Sequence, residues 1–216
     1  TLFPYTTLFR SYTEILISLT DLAAKIELEF EKQILSILKT SRTYSIKKYA
    51  LQKLNEPLEG LVKELGQFNT IWNNAFKFKT ATVITEIGEF KIEFMPDYAP
   101  VSVGSFCLSV QQRLFARNIF HRVVPGFVIQ AGDPSKTGWG GPGYQIISEY
   151  SPLYFSTNFV GMASSGKDTE GSQWFVSLAS FPHLNGRYTV FARVIEGFDV
   201  VNLVQENTII NRIEIK

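Results

Sequence analysis

The 216-residue sequence holds one cysteine, Cys107, and two histidines, His121 and His183. A single thiol excludes an internal disulfide. One thiol and two imidazoles cannot assemble a zinc cluster of any ordinary spacing, so no zinc cofactor is expected. Cys107 lies in the apolar stretch VGSFCLSV. It reads as a small buried hydrophobe rather than a nucleophile. No apolar run is long enough to span a bilayer. Neither sign of charge predominates: 21 Lys and Arg stand against 20 Asp and Glu, a net charge of +1. That balance carries no electrostatic footprint for nucleic acid and no polybasic stripe for a membrane surface.

The first eleven residues, TLFPYTTLFRS, show no hydrophobic period and no capping logic. They are, letter for letter, the translation of a common short-read sequencing adapter. Residues 1–11 are therefore read as an artefact rather than as a natural Thr- and Phe-containing arm, and are set aside from the fold. The native N-terminus is then missing. No signal peptide is to be read from this end, and the cytoplasm and the periplasm both stay open.

From 12 to 75 the period is helical. Ile15, Leu16, Leu19, Leu22, Ala23 and Ile26 recur on one stripe, and Ile34, Leu35, Ile37 and Leu38 continue on a second helix. Ser45 is expected to cap a third helix, and Pro57 to open a fourth that Gly66 closes. The pair ILSILKT…YSIKKYALQKL looks like one hairpin of a HEAT-type array, whose helices bury their apolar faces only by stacking. An ordinary helical extension fits the same residues. A protein partner is the expectation for this segment.

From 76 to 216 the period changes. ATVITEIGEFKIEFM alternates in two arms around a turn at Gly88. A helix begins after Pro100 and turns Val103, Phe106, Cys107 and Val110 inward. Short runs follow as strands: FHRVV, FVIQAGD, YQIIS, FVGMAS, QWFVSL, YTVFARVI and NRIEIK. FDVVNLVQE supplies a late helix. The expected fold is mainly β, a closed barrel with two capping helices, preceded by the small all-α segment. Two glycine runs are decoys. GMASSGK (161–167) has Asp168 where a phosphate loop needs Ser or Thr, and GWGGPG (138–143) lacks the helix that a dinucleotide fingerprint opens.

Within FHRVVPGFVIQAGDP (120–134), an arginine and a glutamine interrupt an apolar run. Burying either without a partner is costly. Their spacing across the Pro125–Gly126 turn lets both face one outer groove, with Val123, Phe127 or Ile129 facing elsewhere. This block, GMASSGKDTEGSQWFVSL and HLNGRYTVFARVIEG, taken in order, resemble the cyclophilin family of peptidyl-prolyl isomerases. The loop GDPSKTGWGGPGYQIISE looks like a bacterial version, of the Bacteroidetes type. The resemblance spans about 78–216 and implies a cyclophilin-like barrel and rotation about Xaa-Pro bonds with no covalent intermediate. It implies that Arg122 is the essential arginine, with Gln130 and Phe127 beside it as catalytic residues. Val128, Ala163, Ser164, Gln173, Phe175, His183, Leu184 and Tyr188 would bind substrate. Departures fall on that substrate surface: Val128 replaces a common Met, Ser164 an Asn, His183 a Trp and Tyr188 a His.

The partners implied are proline-containing peptides and unfolded client proteins. A proline-peptide binding or scaffold module with little turnover is the rival reading. A general holding chaperone is a third, and would need an exposed apolar patch.

Overall fold

The computed structural model describes residues 28–40, 44–56 and 64–216. The adapter-like residues 1–11 and the expected helix over 15–26 lie outside these. The chain divides into two compact units, Thr1–Leu65 and Gly66–Lys216. In the first, α1 (Leu28–Leu38) and α2 (Tyr44–Lys53) bury Leu35, Ala50 and Leu51. Lys39 meets Glu56 at 2.6 Å. Ser45, expected to cap, sits inside α2 instead, because the helix already includes Tyr44.

The helix α3 (Glu64–Lys77), in the second unit from Gly66 on, runs straight through that glycine, where a helix end was expected. Its packing explains why. Ile71 and Ala75 are buried, and Asn74 donates to Gln111 of α4 (Pro100–Gln111) at 2.9 Å. A side chain at Gly104 of α4 would strike the Ile71 carbonyl, so only glycine lets the two helices approach this closely. The division at 65/66 falls ten residues ahead of the expected 75/76.

Strands β1 (Thr80–Thr85) and β2 (Gly88–Phe94) form the expected hairpin, closed by Glu86 and Ile87. Then follow β3 (Asn118–Ile119), β4 (Arg122–Val124), β5 (Val128–Ala131), β6 (Phe159–Met162), β7 (Trp174–Ser177), a 3-10 turn (Pro182–Leu184), β8 (Val190–Glu196), α5 (Phe198–Leu203) and β9 (Ile209–Ile215). All pair antiparallel in one sheet, ordered β3-β9-β1-β2-β8-β6-β7-β5-β4. The expected closed barrel is a curled sheet whose ladder stays open between β3 and β4. These end strands are successive in the chain, and Phe120 and His121 between them cannot pair with themselves. YQIIS, expected as a strand, makes one bridge, Ile146 to Glu170.

The sheet has two apolar faces. Ile129, Ala131, Val160, Met162, Trp174 and Val176 point inward to the main core, where Phe106 of α4 packs against Phe94, Phe115, Trp174 and Phe191. The alternate residues Val128, Phe175 and Val190 point the other way and join Phe155 and Leu184 in a second cluster. α4 starts at Pro100, as expected, but Ala99 ahead of it offers no side-chain cap. Glu149 does so from the far loop, its carboxylate accepting from the Val101 and Ser102 amides at 2.9 and 2.8 Å.

Candidate active site

Four strands set one row of side chains on the outer face. Arg122 on β4 stands opposite Gln130 on β5, Gln130 opposite Phe175 on β7, and Phe175 opposite Gly161 on β6. Directly opposed residues share a face, so the row is fixed by register alone. Gln173 lies two residues before Phe175 and on the same side.

Hydrogen bonds give the row a polarity. Gln173 Nε2 donates to the carbonyls of Gly138 and Gly140, both at 2.9 Å. A backbone carbonyl can only accept, so the Gln173 amide nitrogen must face them. Its oxygen is thereby turned toward Gln130, whose Nε2 donates to it at 2.9 Å. The Gln130 oxygen is left facing Arg122, and Arg122 Nη1 donates to it at 3.3 Å. Two loop carbonyls thus set the orientation of both amides and end the chain on a guanidinium. Gln130 is buried, Arg122 half-buried.

Apolar walls flank the guanidinium. It lies 6.0 Å from the Phe127 ring centroid. Phe127 meets Phe181 edge-on at 4.7 Å and stacks on His183 at 5.9 Å. Sequence spacing left room for Phe127 to face away; in fact the turn at Pro125–Gly126 returns its ring to the cluster. Phe175 stacks on Phe155 at 5.5 Å and meets Tyr188 edge-on at 5.8 Å. Val128 and Leu184 are buried in this cluster, and Ala163 packs against it. Burial pushes the Tyr188 phenol's pKa up, against the pull of Arg122 and Arg187. Ser164 joins only as Ala163's half-buried neighbour in the chain. Phe155 and Phe181 were not foreseen. Neither stands in an alternating strand, so no period singles them out.

The loop behind Gln173 is organised by buried Asp133. It accepts from the Ser135 amide and hydroxyl, both at 2.7 Å, and from the Thr137 and Gly138 amides at 2.9 and 2.5 Å. Burial alone would raise this carboxyl's pKa, but those donors outweigh it and hold it below the ordinary value. Burial also lowers the pKa of His121, with Asp133 opposing. Neither glycine decoy opens a helix: the residues after Lys167 run through a loop to β7, and those after Gly143 to the single bridge at Ile146.

A polarised Arg–Gln–Gln row beside an aromatic cluster sits within a segment that one family describes. The model of the family "Cyclophilin type peptidyl-prolyl cis-trans isomerase/CLD" matches residues 78–215. The chain belongs to the cyclophilin-type peptidyl-prolyl cis-trans isomerases. Among its relatives, the peptidyl-prolyl cis-trans isomerase B of Bacillus subtilis is 38% identical over 142 residues, covering 64% of this chain and 99% of that protein. The peptidyl-prolyl cis-trans isomerase A of Mycobacterium tuberculosis is 37% identical over 145 residues, covering 59% and 80%. The crystal structure of a cyclophilin-type isomerase from Cryptosporidium parvum superposes with a TM-score of 0.61 at 31% identity, covering 64% of this chain and 98% of that one. Cyclophilins bind proline-containing peptides, and this isomerase has no described helix long and apolar enough to cross a membrane.

Proposed function

We propose that the isomerase turns Xaa-Pro bonds by arginine-assisted rotation at the outer row, and that it does so on unfolded client proteins to speed their folding. Rotating a peptide bond costs about 18–20 kcal/mol, because the nitrogen lone pair conjugates with the carbonyl. Prolyl bonds populate both isomers, yet exchange over tens of seconds. A catalyst needs no nucleophile here. It must favour the twisted state, in which nitrogen turns pyramidal and recovers its lone pair. The Arg122 guanidinium would donate to that nitrogen, an interaction strong only at the transition state. Phe127, Val128, Phe175, Leu184 and Tyr188 would hold the pyrrolidine ring. Gln130 would hold the peptide backbone and, through Gln173, keep Arg122 aimed. Ala163, Ser164 and His183 would touch the peptide on either side.

The observation that carries this reading is the forced polarity of the row, which ends on Arg122 beside the apolar cluster. A Cryptosporidium parvum relative, 30% identical with a TM-score of 0.60, was crystallised in the presence of the dipeptide Ala-Pro, a prolyl ligand. The test is Arg122→Ala in an NMR exchange or protease-coupled assay on a prolyl peptide. Turnover should fall by about 10²–10³. Peptide affinity should weaken far less, and the fold should persist. Turnover within about threefold of wild type, in a folded protein, would refute the mechanism and favour a binding or scaffold module.

The loop GDPSKTGWGGPGYQIISE supports a bacterial branch of the Bacteroidetes type. The α1–α2 hairpin supports a HEAT-like segment over 12–75 that docks a protein partner. Pull-down with the full chain against one lacking that segment tests the docking.

A further inference from the structure

Helix α3 meets different surroundings around its girth. Ile71 and Ala75 are buried, and the Ile71 carbonyl lies against Gly104 of α4. Beside that face, Phe68, Trp72 and Phe76 recur at every fourth position and are 46%, 46% and 47% exposed. Their rings form a ladder. Phe68 stacks on Trp72 with centroids 6.3 Å apart, and Trp72 meets Phe76 edge-on at 5.8 Å. Exposed Asn69 and Asn73 border it, and residues 65–76 carry no charged side chain. Single exposed apolar residues are ordinary, but contiguous aromatic rings make a patch. The ladder also lies behind the arginine row. α4, on which α3 rides, packs on the inner face of the sheet through Phe106, whereas Arg122, Gln130 and Phe175 stand on the outer face.

We propose that this ladder is a second binding site, separate from the proposed prolyl site, that holds extended apolar segments of unfolded protein chains. It rests on the function proposed above for the unfolded client that supplies such segments. An extended chain sends alternate side chains to one side about 6.6 Å apart, and a polyproline stretch advances about 6.2 Å in two residues. The ring spacings of 6.3 and 5.8 Å match that step, so apolar residues at i, i+2 and i+4 can each meet one ring. An aromatic side chain carries about 150–250 Å² of surface to bury, so at these exposures the ladder offers about 200–350 Å². Two copies face to face would then cover about 400–700 Å², against about 1,200–2,000 Å² in a stable interface. A second copy is thus a poor occupant, whereas a short segment held briefly needs no more. The uncharged border imposes no charge pattern on what binds, which suits a site that takes many sequences.

The experiment uses the full chain. The probe is a Gly- and Ser-based peptide without proline, carrying Phe at three alternate positions. Its control has the same composition with the Phe residues scattered too far apart to meet neighbouring rings. Calorimetric titration reads binding, and turnover of a short prolyl peptide is read alongside. Wild type should bind the probe about 3–10-fold more tightly than the control. Saturating prolyl peptide should not displace the probe, because the two sites lie on different faces of the sheet. Phe68→Ser/Trp72→Ser/Phe76→Ser should lose the preference yet turn over the short peptide within about twofold of wild type. Trp72→Phe should keep most of it. A wild type without the preference, displacement by the prolyl peptide, or a triple variant that binds the probe as wild type does overturns the proposal. So does a dimer in sedimentation that the triple variant abolishes, since a second copy would then be the occupant. Should the triple variant unfold, Phe68→Ser and Trp72→Ser decide singly, and unchanged probe affinity in both overturns the proposal. A wild type that binds the probe but turns over no prolyl peptide upholds the ladder and refutes the isomerase reading of the row.

Discussion

Gly161→Ala adds one methyl group at the centre of the outer row. A Cβ there would lie 2.6 Å from Phe175 Cζ and 2.8 Å from Cε1 and Cζ of Phe155. Carbon atoms in good contact sit ~3.5–4.0 Å apart, so about 1 Å must be found. The rings cannot simply swing clear. Both are buried, at 5% and 2% exposure, and they stack on each other at 5.5 Å. Backbone strain adds nothing, since Gly161 does not take a positive φ, although the pairing of β6 with β8 shifts register between Val160 and Gly161. Overpacking of this kind costs about 1–3 kcal/mol. For a unit of this size each kcal/mol moves the midpoint by ~2–4 °C, so Tm should drop by about 2–12 °C. Displacing Phe175 also shifts a wall of the proposed prolyl site opposite Gln130, so KM for a prolyl peptide should rise more than kcat falls. Phe155→Leu frees part of the same space, so the double variant should be more stable than the sum of the two changes predicts. Calorimetry and steady-state kinetics on the four proteins read all of this. A Gly161→Ala protein with unchanged Tm and KM, or strict additivity with Phe155→Leu, would refute the packing argument.

Ile71→Ala should cost about 2–5 kcal/mol, because the side chain is buried against α4, and a chain beginning at Phe76 should melt well below one beginning at Gly66. Equal midpoints in thermal scans would mean that α3 contributes nothing to the second unit. Burial raises the pKa of Glu170 despite the Ser148 and Thr189 hydroxyls, so the folded protein binds its proton more tightly than the unfolded chain. Its contribution is fully present below the ordinary glutamate value of about 4.3 and is lost as pH rises through the higher folded value. Urea unfolding across that window should show the fall in wild type, and a shallower one in Glu170→Gln. The Cys107 thiol, pushed up to about 12 by burial, should resist a thiol reagent in the native protein at neutral pH and react on unfolding.

Much of the sheet was legible because its period is local. The β1–β2 hairpin, the start of α4 at Pro100 and the shared face of Arg122 and Gln130 all follow from alternation and turn residues. The two apolar faces explain why so many positions read as core. What escaped was non-local. YQIIS has strand composition, yet its last amide and the one after it are taken by side chains: Ser148 N–H by Asp168 and Glu149 N–H by Thr189. A ladder cannot form where the donors are already spent. Gly66 reads as a helix end, but the partner that draws α3 onward is Gly104, which no local pattern links to it. The cap on α4 comes from Glu149, 48 positions from Val101. At the site, the block around Arg122 supplied only Arg122 and Gln130 of the row, and Phe155 and Phe181 enter from loops.

Strand β1 lies between β2 and β9, and Lys79 and Thr80 both donate to the carbonyl of Lys216. On a ribosome the β1–β2 hairpin emerges more than a hundred residues before β9. At about 5–20 residues per second, that is several to some tens of seconds during which one side of β1 has no neighbour. An open strand edge is a template for other nascent chains. Prolyl exchange occupies the same stretch of time. During its own synthesis the protein is thus exposed in the manner of its proposed clients, and its final strand is what ends that exposure.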